Sequence, residues 1–267
     1  MTTTLDPAVD ELTARYLRAV DAALPDYVRG LYLVGSAALG AWQPGVSDVD
    51  TVILTSRPAT GDDLARLAEI HAGMPSSPCF DGLYLEPALA RTWPADGRTL
   101  PFVVNGEFRT DQPCGELTPV LWLTLRRHGI PVRGPAVTEL GVRVDAEQLR
   151  RYNLDNIRGY WQPTAAMLAA QLTGTAPGVT DPDAAKAVAW YVLGPARLHH
   201  TLAHGDIIAK AAAGEYLGRL FPEYADLARR AVRWRSGTPE QFTVADLRAA
   251  LNSVDAVADD AWRRFGT

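Results

Sequence analysis

From Pro7 to Leu24 the apolar positions Val9, Leu12, Tyr16, Leu17, Val20 and Leu24 recur with a helical period, and Pro25 closes the segment. Shorter apolar runs follow. "GLYLV" reads as a strand, "SAALGAW" as a short helix opening at Ser36, and "DVDTVILTS" as a second strand. Arg57-Pro58 leads into a helix over Asp62 to Ala72, and "FDGLYLE" and "TLPFVVNGEF" are two further strand candidates. A helix at about Glu116 to His128 and the extended "IPVRGP" complete this half. After about Asp145 the pattern changes to amphipathic helices, from "AEQLRRYNLDNIRGYWQPTAAMLAAQL" to "TVADLRAALNSVDAVADDAWRRF", with "TGTAPGVTDPD" as the clearest loop. The pattern predicts an α/β N-terminal domain over 1–140, a mixed sheet with flanking helices, and an all-α helical bundle over 141–267.

Composition narrows the class without naming a chemistry. The chain has 267 residues, 47% hydrophobic and 21% charged, as an ordinary globular protein has. No apolar run is long enough to span a bilayer, and "MTTTLDPAVDELTARYL" lacks a signal-peptide pattern, so no membrane association and a cytoplasmic location are expected. Cys79 and Cys114 lack metal-ligand spacing and read as reduced thiols. Net charge is −5, and lysine occurs only at Lys186 and Lys210. That balance argues against nucleic acid and suits a cationic small molecule better. A monomer is expected.

Candidate chemistry begins at "GSAALGAWQPGVSDVD". Alternate residues of a strand share a face, so Asp48 and Asp50 point the same way. Two neighbouring carboxylates repel, which is a poor choice for stability and a good one for a divalent cation. Hard oxygen ligands suit Mg²⁺, which completes its shell with water and substrate phosphates. Gly35 and Ser36 stand between a strand and a short helix, where free N–H groups favour an anion. Singly, each feature reads as a turn or a helix cap. Together they fit nucleotidyl transfer.

Through this motif the chain resembles the DNA-polymerase-β-like nucleotidyltransferase superfamily, and over nearly its whole length the streptomycin/spectinomycin adenylyltransferases within it. The resemblance implies ATP as co-substrate, Mg²⁺ as cofactor and an aminoglycoside hydroxyl as acceptor, with pyrophosphate released. It implies an acid on the "FDGLYLE" strand as a third metal ligand. Asp81 stands at the family's distance from Trp93, with Glu86 as the alternative on the opposite face. It also makes Glu107, in "NGEF", the catalytic base. Arg197, in "GPARLHH", and Lys210, in "GDIIAK", would contact the triphosphate, and Asp183 would bind the drug. Trp161 and Trp190 offer stacking surfaces, or core packing. Where the family carries a second drug-binding acid this chain has Ala187, and the "TGTAPGVT" segment departs from the pattern. The acceptor is thus left open between an aminoglycoside, another small molecule and a protein hydroxyl, with a non-catalytic nucleotide-binding protein as a further alternative. His200 and His204 stand four apart on one helix, yet with no third ligand they read as ordinary polar residues.

Overall fold

A computed structural model describes residues 5–93, 98–178, 180 and 184–266. It divides into two compact units, Met1–Asp145 and Ala146–Thr267.

In the first unit the order is α1 (Pro7–Ala23), β1 (Val28–Leu33), α2 (Gly35–Ala38), β2 (Val49–Thr55), α3 (Gly61–Ala72) and β3 (Phe80–Leu85). The one-turn α4 (Pro87–Ala90), the strands β4 (Phe102–Val104) and β5 (Glu107–Arg109), α5 (Pro119–His128) and β6 (Ile130–Arg133) follow. The strands form one mixed sheet in the order β5-β4-β3-β2-β1-β6. Only β2 and β3 run parallel, and the intervening α3 supplies the crossover such a pair requires. Caps set the helix starts. Asp6 accepts from Ala8 N–H ahead of α1, and Thr60 and Asp63 form a reciprocal capping box on α3.

Alternation along the strands sorts their side chains onto two buried faces. Leu31, Leu33, Val49, Ile53, Phe80 and Tyr84 pack beneath α1 and α3 with Tyr16, Val20 and Leu67. Tyr32, Val52, Leu54, Leu83, Leu85 and Phe102 pack on the other face with Trp122 and Leu125 of α5. This second face also carries the acids.

The expected segment "TLPFVVNGEF" is not one strand. It breaks into β4 and β5 at Asn105-Gly106, where both residues have positive φ, 52° and 74°. Two consecutive positive φ values make the tight reversal that Asn-Gly favours between antiparallel strands.

The second unit is helical: α6 (Ala146–Asn156), α7 (Gln162–Gln171), α8 (Ala184–His204), α9 (Lys210–Leu220), α10 (Ala225–Arg235) and α11 (Val244–Phe265). A π-type turn over Ile157–Trp161 joins α6 to α7 without a break. The expected helix from Asp206 starts four residues later, because the Asp206 carbonyl accepts from Thr201 Oγ1 and lies 3.2 Å from His200 Nδ1, holding the chain extended. Trp161 fits against α8 only because residue 194 is glycine, where a Cβ would lie 2.1 Å from the indole. Among the described residues no helix is long and apolar enough to cross a membrane.

Candidate functional site: a row of acids on one sheet face

Strand register brings the acids together. Asp50 on β2 is the direct partner of Asp81 on β3, so their side chains share a face. Asp48, two residues before Asp50 and just ahead of β2, points the same way. Exposure falls along the group: Asp48 is exposed, Asp50 half-buried and Asp81 buried. Glu86 caps α4 at the far end of β3, roughly 17 Å along the strand from Asp81, so it does not join them.

The Gly35 turn is built around Asp50. Val34 N–H donates to the Asp50 carbonyl at 2.9 Å. Gly35 has φ 56°, and a Cβ there would stand 2.0 Å from Asp50 Oδ2. Glycine is therefore required twice, by its backbone angle and by the carboxylate against it. The helix after it is one turn long, shorter than expected and opening at Gly35 rather than Ser36. Its first intrahelical donor is Ala38, so the amides of Gly35, Ser36 and Ala37 precede the ladder. On the other side Trp42 Nε1 donates to the Asp48 carbonyl at 3.1 Å and fixes the approach to β2.

Asp81 has a second task. Its two oxygens accept from the Asn105 and Gly106 amides at 2.8 and 2.9 Å, so the acid clamps the β4–β5 turn. Burial raises its proton affinity above the usual carboxylate range, against those two donors, and the Asp48 charge adds to the rise. The Cys79 thiol lies in the same neighbourhood and is pushed up by burial and by Asp48 and Asp81.

Glu107 follows the turn directly. It pairs with Val104 across β4–β5, which puts it on the acid-bearing face. Unlike Asp81 it is exposed, and it forms an ion pair with Arg109 on its own strand. Thus Asp48, Asp50, Asp81 and Glu107 occupy one face, from β2 across to β5.

These donors fit a hard divalent cation. Among the described residues no three His, Cys, Asp or Glu side chains close around a metal position. Mg²⁺ does not need such a cage, since it is commonly held by one or two carboxylates with water and substrate phosphates. Asp48 and Asp50 meet that requirement, and Asp81 spends one lone pair of each oxygen on the turn while keeping the other.

The remaining expected residues belong to the helical unit. Arg197 Nε donates to the Ile208 carbonyl at 3.1 Å, so its guanidinium is anchored to the segment before α9. Lys210 opens α9 and holds its ammonium 5.9 Å from the Trp190 ring centroid. Trp190 is exposed and lies 5.1 Å, centroid to centroid, from Trp161. Trp161 itself is buried in the helical core, which leaves Trp190 as the accessible ring of the two. Asp183 lies outside the described residues.

Sequence reasoning missed the clamp between Asp81 and the turn, and the pairing of Glu107 with Arg109. The Asn-Gly dipeptide was the available signal for the first. The second had only its spacing: two opposite charges, two apart on a strand.

Comparison with known proteins agrees with this geometry. The sequence model of a nucleotidyltransferase domain matches residues 14–74, from α1 through β1, the Gly35 turn and β2 to α3. Among solved structures the chain is similar to a spectinomycin adenyltransferase, AAD(9) from Enterococcus faecialis, determined with ATP and spectinomycin. The match covers 93% of this chain and 98% of that one, with a TM-score of 0.69 and 16% sequence identity. The chain thus carries the nucleotidyltransferase domain of a transferase enzyme and takes the fold of that spectinomycin adenyltransferase.

Proposed function

We propose that the protein transfers AMP from ATP to a hydroxyl of an aminoglycoside-type acceptor such as spectinomycin or streptomycin, in a Mg²⁺-dependent reaction. The observation that carries this reading is the alignment of Asp50 with Asp81 on one face, with the Gly35 turn against the Asp50 carboxylate. The acceptor oxygen attacks the α-phosphorus, the bond to the β-phosphate oxygen breaks, and pyrophosphate departs. Asp48 and Asp50 hold Mg²⁺, which when bound offsets the charge of the triphosphate. The Gly35–Ala37 amides meet phosphate oxygens.

The proton of the attacking hydroxyl needs an acceptor within hydrogen-bond reach. Geometry favours Asp81 over Glu107. Asp81 is one strand from Asp50, about 5 Å by sheet spacing, while Glu107 is three strands away, about 14 Å. Asp81 is also buried, whereas Glu107 is exposed and already paired with Arg109. Asp183 and Trp190 are proposed for the acceptor.

The test is direct. Purified protein, ATP and Mg²⁺ are incubated with spectinomycin and streptomycin, and products are read by mass spectrometry. An AMP adduct is expected with the wild type and none with Asp50→Asn. Full activity in Asp50→Asn would remove the site assignment, and the absence of an adduct on either drug would remove the acceptor class. Asp81→Asn should lower kcat about a hundredfold or more. Loss of turnover in Glu107→Gln alone would return the base role to Glu107.

A further inference from the structure

The row of acids ends in a pair of opposite charges, Glu107 and Arg109. Val104 faces Glu107 and Phe102 faces Arg109 across β4–β5, so both side chains lie on the face that carries Asp50 and Asp81. The contact between them is single, from Arg109 Nη2 to Glu107 Oε2. Arg109 Nε is buried and finds no acceptor. Glu107 is 67% exposed and Arg109 38%.

Two arginine–carboxylate pairs in this unit are built differently, whereas the surface pair Arg29–Asp26 is also single-contact and exposed. Arg57 engages both oxygens of Asp63 with two nitrogens. Arg133 does the same to Asp21, at 2.6 Å for each contact. Two parallel N–H···O bonds give such pairs their strength and direction. A one-point, exposed pair contributes little stability, and another cation displaces it readily. The unpartnered Nε adds to this, because the guanidinium gives up water there without gaining an acceptor. Meanwhile the backbone beneath Glu107 is fixed, since Asp81 clamps the turn immediately before it. The backbone of the pair is therefore fixed, while its one contact lies at an exposed carboxylate that a ligand can reach.

We infer that Glu107 is the carboxylate that recognises the acceptor and that Arg109 is its exchangeable counter-ion. An ammonium or guanidinium group of the acceptor takes the place of Arg109 on Glu107. This rests on the nucleotidyl-transfer reading for what the acceptor is, and it gives that acceptor a chemical requirement, a cationic group about two strand spacings, roughly 10 Å, from the hydroxyl that reacts at Asp81. Arg109 then sets selectivity, because neutral ligands gain nothing by displacing it. No bond is made or broken in the exchange.

Binding calorimetry with spectinomycin, a polyol bearing amines, tests the pair separately from turnover. Glu107→Gln should weaken spectinomycin binding about tenfold or more, while ATP binding stays unchanged. Arg109→Met, which removes the competitor, should tighten spectinomycin binding about threefold and leave ATP binding alone. Added salt should narrow both differences. The inference is overturned if Arg109→Met weakens or does not alter spectinomycin binding, or if it weakens ATP binding, which would make Arg109 a phosphate ligand. It is also overturned if Glu107→Gln keeps spectinomycin affinity but loses turnover, or if the wild type does not bind spectinomycin. Spectinomycin binding without any AMP adduct would instead defeat the transfer reading and leave the pair assignment to stand or fall on the variants.

Discussion

Asp81 and Asp260 are equally buried, at 9% and 8% exposure, yet their surroundings push them in opposite directions. Both are raised by burial. For Asp81 that rise prevails, since only two backbone amides oppose it and Asp48 reinforces it. For Asp260 the rise is outweighed by His199, Arg264 and Arg263, and its carboxyl is held below the usual range. His199 sits between Asp260, at 2.8 Å from Nε2, and the Tyr216 hydroxyl, at 2.7 Å from Nδ1, tying α8, α9 and α11 together. The helical unit thus neutralises its buried acid with its own cations. The sheet unit gathers acids on one face, and there Asp81 keeps a raised proton affinity despite its two amide donors. Similar burial with opposite compensation separates a structural acid from a functional one.

That contrast breaks most visibly by mutation at its two ends. Asp48→Asn should lower turnover about a thousandfold, close to 4 kcal/mol of transition-state stabilisation. Its unfolding free energy should move by less than about 0.5 kcal/mol, because the side chain is exposed and among like charges. Asp260→Ala should do the reverse. It strands a fully buried His199 and should cost about 3 kcal/mol in denaturant unfolding, while turnover per folded molecule is retained. A stability loss in the first variant, or an activity loss without destabilisation in the second, would erase the distinction.

The sequence carried the sheet-face acids further than their partners. Asp48 and Asp50 were legible because strand alternation depends only on spacing, and the Gly35 turn because glycine there has few other uses. Asp81 was found, but its clamp on Asn105 and Gly106 depends on which strands are neighbours, and that is long-range information. The same segment, "TLPFVVNGEF", contained the Asn-Gly reversal in plain view, yet strand propensity on both sides outweighed it. In the helical unit periodicity carried α8 and α11 well. It also read Ala146 to Leu172 as one continuous helix, which hides the π-type turn before Trp161. Whether Trp161 is core or binding surface was decided by Gly194, thirty-three positions away, where no local signal points to an indole. The Pro119 start of α5 was a missed local signal, since proline at the first helical position after Thr118 marks an N-terminus.

A buried histidine in each unit sharpens the comparison at smaller amplitude. His199 has an acid partner; His71 has none. His71 lies among Tyr16, Phe80 and Phe108, with Nε2 2.7 Å from the Tyr84 hydroxyl and Nδ1 buried without a partner. Burial lowers its pKa from 6.5 to about 4, so the folded protein keeps the ring neutral where the unfolded chain protonates it. The depressed folded value fixes the sign. The neutral ring's contribution is complete above pH 6.5 and is lost as pH falls from 6.5 towards 4. By linkage the loss at pH 5 is about 2 kcal/mol relative to pH 8. Carboxylates titrate over part of the same range, so the measurement is a difference. Urea unfolding of the wild type and of His71→Gln is followed at pH 8 and pH 5. The wild type should lose about 2 kcal/mol more than the variant over that interval. Equal losses would mean that the His71 pocket admits the charged ring, and that the sheet unit tolerates an unpaired buried charge as readily as the helical unit compensates one.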